Sequence, residues 1–112
     1  MFCKSNGNGY TQILPGIRIK TLTYGDLTSF TEFKMEKGSV LSKHSHVHEQ
    51  TGYLIKGNIL LTIGTEEYNV TQGDSWCIPS NVEHRAQILS DSVAIEVFAP
   101  VREDYLIFKQ EK

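Results

Sequence analysis

Apolar positions in this chain come in short alternating runs, with turn residues recurring about every ten positions. After Pro15-Gly16, Ile17, Ile19 and Thr21 alternate with Arg18, Lys20 and Leu22. A period of two belongs to a β-strand, which turns one side of each residue pair inward. Phe30 to Met35 forms a second run and ends at Lys37-Gly38. Tyr53-Leu54-Ile55 leads into Lys56-Gly57-Asn58, a hairpin signal from which Ile59 to Ile63 returns. Gly64-Thr65-Glu66 turns the chain again before Tyr68 and Val70. Gly73-Asp74 opens Ser75 to Ile78, and Pro79-Ser80-Asn81 closes it. The last strands expected are Arg85 to Leu89 and Val93 to Phe98. No window sustains a 3.6-residue apolar period, and only Arg102 to Gln110 could form a short terminal helix. The fold class is therefore all-β, an antiparallel sandwich or barrel.

Residues 1–12, rich in Gly and Asn, read as a loose tail or edge segment, and residues 13–112 as one domain. Trp76, Tyr53, Leu61 and Ile63 are expected in the core, with Gly52 and Gly57 at close backbone approaches or turns. In the last strand Val93, Ile95 and Val97 make a wholly apolar face, expected to pack between the sheets. Ala94, Glu96 and Phe98 share the other face. A carboxylate there is costly to bury without a partner, so that face meets solvent or lines a pocket.

Composition narrows the field. The chain has 112 residues, 39% of them apolar, which suits one compact domain with one core. A net charge of −2 with scattered Lys and Arg leaves no basic footprint for nucleic acid. No apolar run approaches the roughly 20 residues of a membrane span. Met1 to Gly9 contains no apolar core of a secretory signal, and Cys3 and Cys77 form no CxxC. Reduced thiols and a cytoplasmic location are expected, although a Cys3–Cys77 pair is compatible with the sequence.

The histidines carry the chemistry. His44, His46 and His48 alternate within Lys43-His44-Ser45-His46-Val47-His48-Glu49-Gln50, and His84 is the fourth and last histidine of the chain. On a strand these side chains would project together, and Gln50 could join them if the chain bends after Val47. Isolated histidines are ordinary surface residues, but an alternating triplet between Gly38 and Gly57 points to a divalent metal site. Imidazole suits Zn, Ni, Fe, Cu or Mn alike, so the metal is not named by its ligands. Two ligands from one strand usually suffice, which makes His48 the one to spare, as a surface or supporting residue.

Gly38-x5-His44-x-His46-x3-Gln50-x6-Gly57 resembles the first cupin motif, with Gln50 where many cupins carry Glu. Gly73-x5-Pro79-x-Asn81-x2-His84 resembles the second, with Asn81 in place of the usual Gly. The resemblance implies a small single-domain cupin, a jelly-roll β-barrel with His44, His46, Gln50 and His84 as metal ligands. A neutral Gln50 leaves the ion one charge more positive than Glu would, favouring Lewis-acid chemistry on an anionic substrate.

Glu96-Val97-Phe98-Ala99-Pro100-Val101-Arg102-Glu103-Asp104-Tyr105-Leu106 resembles the C-terminal signature of the pectin-degradation cupins, which ring-open 4,5-unsaturated uronates released from pectin or alginate. By position, Glu96, Phe98 and Arg102 are then the residues around the substrate. Glu96 stands where that family commonly has Asp, and Val101 where it commonly has Pro. Arg would grip a substrate carboxylate and a pocketed carboxylate would move a proton; the plain reading of Arg102 is a surface pair with Glu103 or Asp104. The expectation is a metal-dependent enzyme acting on a small anionic sugar acid. The alternatives are a non-catalytic sugar-acid-binding cupin, or another cupin chemistry such as an oxygenase or sugar isomerase. A homodimer is expected because an open sandwich edge needs covering, with residues 13–23 as contributors.

Overall fold

The computed structural model describes residues 1–106. It contains the strands β1 (Thr11–Leu14), β2 (Ile17–Tyr24), β3 (Ser29–Met35), β4 (Val40–His44), β5 (Glu49–Ile63), β6 (Glu66–Thr71), β7 (Ser75–Ile78) and β8 (His84–Ala99). One short helix, α1 (Glu103–Leu106), follows. All pairings are antiparallel, in the order β1-β2-β3-β8-β5-β6, with β4 on β8 and β7 on β5. This is the all-β jelly-roll architecture expected. No helix among the described residues is long and apolar enough to cross a membrane. Of the helix expected over Arg102 to Gln110, only Glu103–Leu106 is helical in the described part, and positions 107–110 lie outside it.

β5 and β8 organise the molecule. They pair from Glu49↔Ala99 to Ile63↔His84, with register shifts between Leu54 and Ile59. The hairpin expected at Lys56-Gly57-Asn58 is therefore a bulge inside one 15-residue strand. Likewise the two last strands expected are one strand of 16 residues. Gly57 has φ +111, and a Cβ there would overlap Ser92 of β8, so the residue serves a bend and a close approach together. Beyond the bend each long strand changes neighbours. β3 takes β8 from Ser92 to Phe98, and β4 takes it from His84 to Gln87. β7 takes β5 from Gln50 to Tyr53, and β6 takes it from Asn58 to Ile63. Two long strands thus serve both layers of the sandwich.

Ile17, Ile19, Phe33, Met35, Leu54, Ile59, Leu61, Val70, Ala86, Ile88, Ala94 and Phe98 form the core. Burial in the C-terminal half of β8 reverses the sequence expectation. Ala94, Glu96 and Phe98 face the interior, while Val93, Ile95 and Val97 are partly exposed on the outer face. Tyr53, expected in the core, is opposite Ile95 on that outer face and 44% exposed. Alternation tells which residues share a face, and only the partner sheet decides which face is inside. Leu61 is in the core, and Ile63 and Trp76 are partly buried against it. Both cysteines are free.

Candidate metal centre

β4 ends at His44, so the alternating histidines do not lie on one strand. The chain bends through residues 45–48 and re-enters the sheet at Glu49, which brings Gln50 inward. His84, the first residue of β8, pairs with His44 across the ladder. The His44 and His84 ring centres lie 4.2 Å apart, and those of His46 and His84 5.0 Å apart. One nitrogen from each of these three imidazoles falls within 4.8 Å of the other two. His48 stands outside the group, its ring centre 5.4 Å from that of His46.

Each of the three rings is aimed by a backbone carbonyl. Nδ1 of His44 donates to Ser42 O at 2.7 Å, Nδ1 of His46 to His48 O at 3.0 Å, and Nδ1 of His84 to Val82 O at 3.0 Å. A carbonyl oxygen only accepts, so the proton sits on Nδ1 and each Nε2 presents a lone pair. Nε2 of His84 is buried with no hydrogen-bond partner among the described residues. Nε2 of His46 meets Gln50 Oε1 at 3.0 Å, two lone-pair atoms face to face. Such an arrangement is unfavourable until a cation sits between them. Burial pushes the His84 pKa down to about 4, and burial followed by the charge of Arg102 lowers that of His46. Neutral imidazoles are what a metal requires at neutral pH. The donor set fits a divalent transition ion held by His44, His46, His84 and the Gln50 oxygen.

The loop after β7 holds this bend in place. The Asn81 amide donates to His46 O at 2.8 Å, and the Ser80 hydroxyl donates to Val47 O at 2.6 Å. Asn81 has φ +67, a left-handed conformation that Asn tolerates better than any residue but Gly. The substitution of Gly by Asn noted in the motif therefore keeps the same turn.

Glu96 lies beside Gln50 and is 6% exposed. Its Oε1 accepts from the Gln50 amide and, at 3.3 Å, from the Trp76 indole N–H. Burial raises its pKa to about 7, against the opposing pull of those two donors and of Arg102. Phe98 is fully buried, its ring centre 6.0 Å from that of His46. The Arg102 guanidinium lies over Phe98 at 5.1 Å and over Tyr105 at 4.1 Å. Its Nε is taken by Asp104 at 2.9 Å, so the surface pair weighed from sequence exists. The side chain is nonetheless only 13% exposed and lines the same cavity as His44, Gln50, His84, Glu96 and Phe98.

Two cavity residues escaped the sequence reading. Tyr105 packs edge-on against Phe98 at 5.6 Å, accepts a hydrogen bond from Arg102, and is tied down through its carbonyl by the Thr21 hydroxyl at 2.8 Å. Trp76, expected only in the core, also sends its indole N–H to Glu96. A buried indole needs an acceptor, and Glu96 on the same face was the available signal.

The cupin-domain family model matches residues 31–99. No curated protein sequence matches the chain. Among solved structures, KdgF from Halomonas sp. aligns with a TM-score of 0.87 at 27% identity, over 93% of this chain and 96% of that one. An RmlC-like cupin from Shewanella frigidimarina gives 0.88 at 25% identity, over 93% and 94%. Salicylate 1,2-dioxygenase from Pseudoaminobacter salicylatoxidans shares the fold alone, with a TM-score of 0.73 at 14% identity over 79% of this chain and 27% of that one. With both histidine motifs inside the matched span and the long shared strands around them, this chain belongs to the cupin family.

Proposed function

We propose that the protein is a metal-dependent enzyme that linearises 4,5-unsaturated uronates. The observation that carries this reading is one cavity lined by His44, His84, Gln50, Glu96, Phe98 and Arg102. The likeness of Glu96 to Leu106 to the uronate-opening cupins supports it, and the overall similarity to KdgF is consistent with it.

The residues suit the chemistry in sequence. With Nε held by Asp104 and one terminal N–H given to Tyr105, the remaining terminal N–H groups of Arg102 would grip the substrate carboxylate. Phe98 and Tyr105 wall the cavity and keep the ring out of water. A divalent ion at the histidines would polarise a ring or hydroxyl oxygen of the sugar acid. Glu96 takes the proton of the C1 hydroxyl as the bond between C1 and the ring oxygen breaks, giving the aldehyde. The enolate so released at C5 receives that proton from Glu96 at C4 and becomes the ketone. Atoms balance as an isomerisation. A pKa of about 7 lets Glu96 both accept and return the proton near neutrality.

A proton-NMR time course of 4,5-unsaturated galacturonate tests the reading, with metal-loaded and EDTA-treated protein side by side. The ring vinyl signal should vanish faster only with metal. Glu96→Gln should slow this by about 10²–10⁴-fold, the usual span for a lost general acid–base, while substrate still binds. No acceleration by metal-loaded wild-type protein would refute the assignment.

The proposal extends to the assembly, a cytoplasmic homodimer. Val93, Ile95 and Val97 on the outer face of β8 adjoin Phe30 of β3 and Tyr53 and Ile55 of β5, all at least partly exposed. Glu32 and Lys34 border them, opposite Ile95 and Val93. An apolar patch with both charge signs at its rim suits a self-complementary two-fold contact.

A further inference from the structure

Gly52 sits on β5 directly between Trp76 of β7 and Glu96 of β8, in one row across three strands. The three residues point inward. Two strand spacings separate β7 from β8, about 9.6 Å, so a side chain on one reaches the other only by crossing the strand between. Gly52 leaves that strand bare. A Cβ at Gly52 would overlap the indole of Trp76, which lies across the backbone there. Its N–H then reaches Glu96 Oε1 at 3.3 Å.

The same oxygen accepts from the Gln50 amide. Gln50 is two residues from Gly52 on β5, on the same inward face, with Phe98 opposite on β8. An amide has one accepting and one donating end, of similar shape. Because Glu96 takes the donating end, the oxygen turns toward His46 Nε2 at 3.0 Å. Which end of Gln50 meets the histidines therefore depends on where Glu96 Oε1 is held. A carboxylate bound only by Gln50 could swing with it, whereas a second donor from a rigid ring on another strand prevents this.

We propose that Trp76, seated on Gly52, is a positioning residue for the metal centre: it anchors Glu96, which orients Gln50 so that its oxygen completes the three-histidine ligand set. Its role in the ligand set is exerted through two other side chains, Glu96 and Gln50. The inference rests on the metal-site part of the proposed function and is independent of which sugar acid is bound.

Cobalt(II) is the probe, because its visible ligand-field bands report the donor set and geometry. Three variants are compared with the unaltered protein: Trp76→Phe keeps a ring and removes the N–H, Gly52→Ala displaces the indole, and Gln50→Ala marks the spectrum without the amide oxygen. Trp76→Phe and Gly52→Ala should weaken cobalt binding about ten- to a hundredfold, the usual effect of losing a ligand's supporting partner. Their bands should move toward those of Gln50→Ala. A merely structural tryptophan would lower the melting temperature and leave the bands unchanged. Folded Trp76→Phe protein with unaltered affinity and spectrum overturns the proposal.

A second measurement needs no variant. Trp76 is the only tryptophan, so the protein has a single indole N–H signal. That signal should exchange slowly with solvent and shift on adding diamagnetic zinc. Fast exchange with no response to zinc overturns the proposal as well. Failure of the unaltered protein to bind cobalt would defeat the metal site itself, an outcome separate from either of these.

Discussion

At the scale of single residues, the site depends on how each imidazole is aimed. Three imidazoles donate hydrogen bonds from Nδ1 to backbone carbonyls, which leaves each Nε2 as a lone-pair donor. For His84, burial has a consequence for stability. Its pKa falls from the ordinary 6.5 to about 4 on folding. Between those values the unfolded chain binds the proton more readily than the folded one, so stability rises with pH across that window. The contribution is whole above 6.5 and is lost as pH falls through about 4. Glu96, raised to about 7, titrates with the opposite sign over much of this range, so the His84 contribution is read as a difference between two proteins. In EDTA-treated samples the melting temperature of His84→Asn relative to the parent should rise as pH falls from 7 to 4. Equal slopes would mean that His84 titrates normally. The histidine and Gln50 positions were legible because the residue types and spacings are uncommon together. Trp76 and Tyr105 were not, because an aromatic residue in a strand or terminal segment has a sufficient explanation in packing alone.

At the scale of elements, the bends in β5 and β8 matter more than the turns between strands. Lys56-Gly57-Asn58 carries the residue chemistry of a hairpin, and positive φ at Gly57 is common to hairpins and bulges. Only the uninterrupted ladder with β8 separates the two. Gly57→Ala should cost about 1–3 kcal/mol in backbone strain, and crowding against Ser92 should add about 1–3 kcal/mol. Gly38→Ala is the internal control, since Gly38 has φ +89 and nothing within 4 Å of the added carbon. Urea denaturation of the two proteins should place Gly57→Ala well below Gly38→Ala. Equal losses would show that β8 yields at Ser92 and the close approach costs nothing. The bend also explains how the site assembles: the inner end of β5 presents Gln50, and the far end of the same strand pairs with His84.

At the scale of the whole molecule, the outer face of the larger layer bears on assembly. Its apolar row explains why the sequence misleads about β8, since Val93, Ile95 and Val97 are more hydrophobic than the interior set Ala94, Glu96 and Phe98. A face that buries against a second copy carries the same pattern as one that buries against its own sheet. Ile95→Glu places a charge at the middle of that patch. If two copies pair there, sedimentation analysis should show a dimer for the parent protein and a monomer for the variant, with the cobalt spectrum preserved. A parent protein that sediments as a monomer at micromolar concentration would rule the pairing out.

The sequence by itself determined the period of two along the chain, and with it an all-β fold. It also determined the residue types that can bind a cation, because imidazole spacing and turn chemistry are local properties read within a few residues. The tertiary structure alone decided which face of β8 is inside. It also decided that two apparent strand pairs are single bent strands, and that Trp76 reaches Glu96 across a glycine. Those outcomes depend on residues far apart in the chain and on which surfaces remain to be covered. No local pattern encodes them, since both faces of a strand repeat with the same period and only long-range pairing tells them apart.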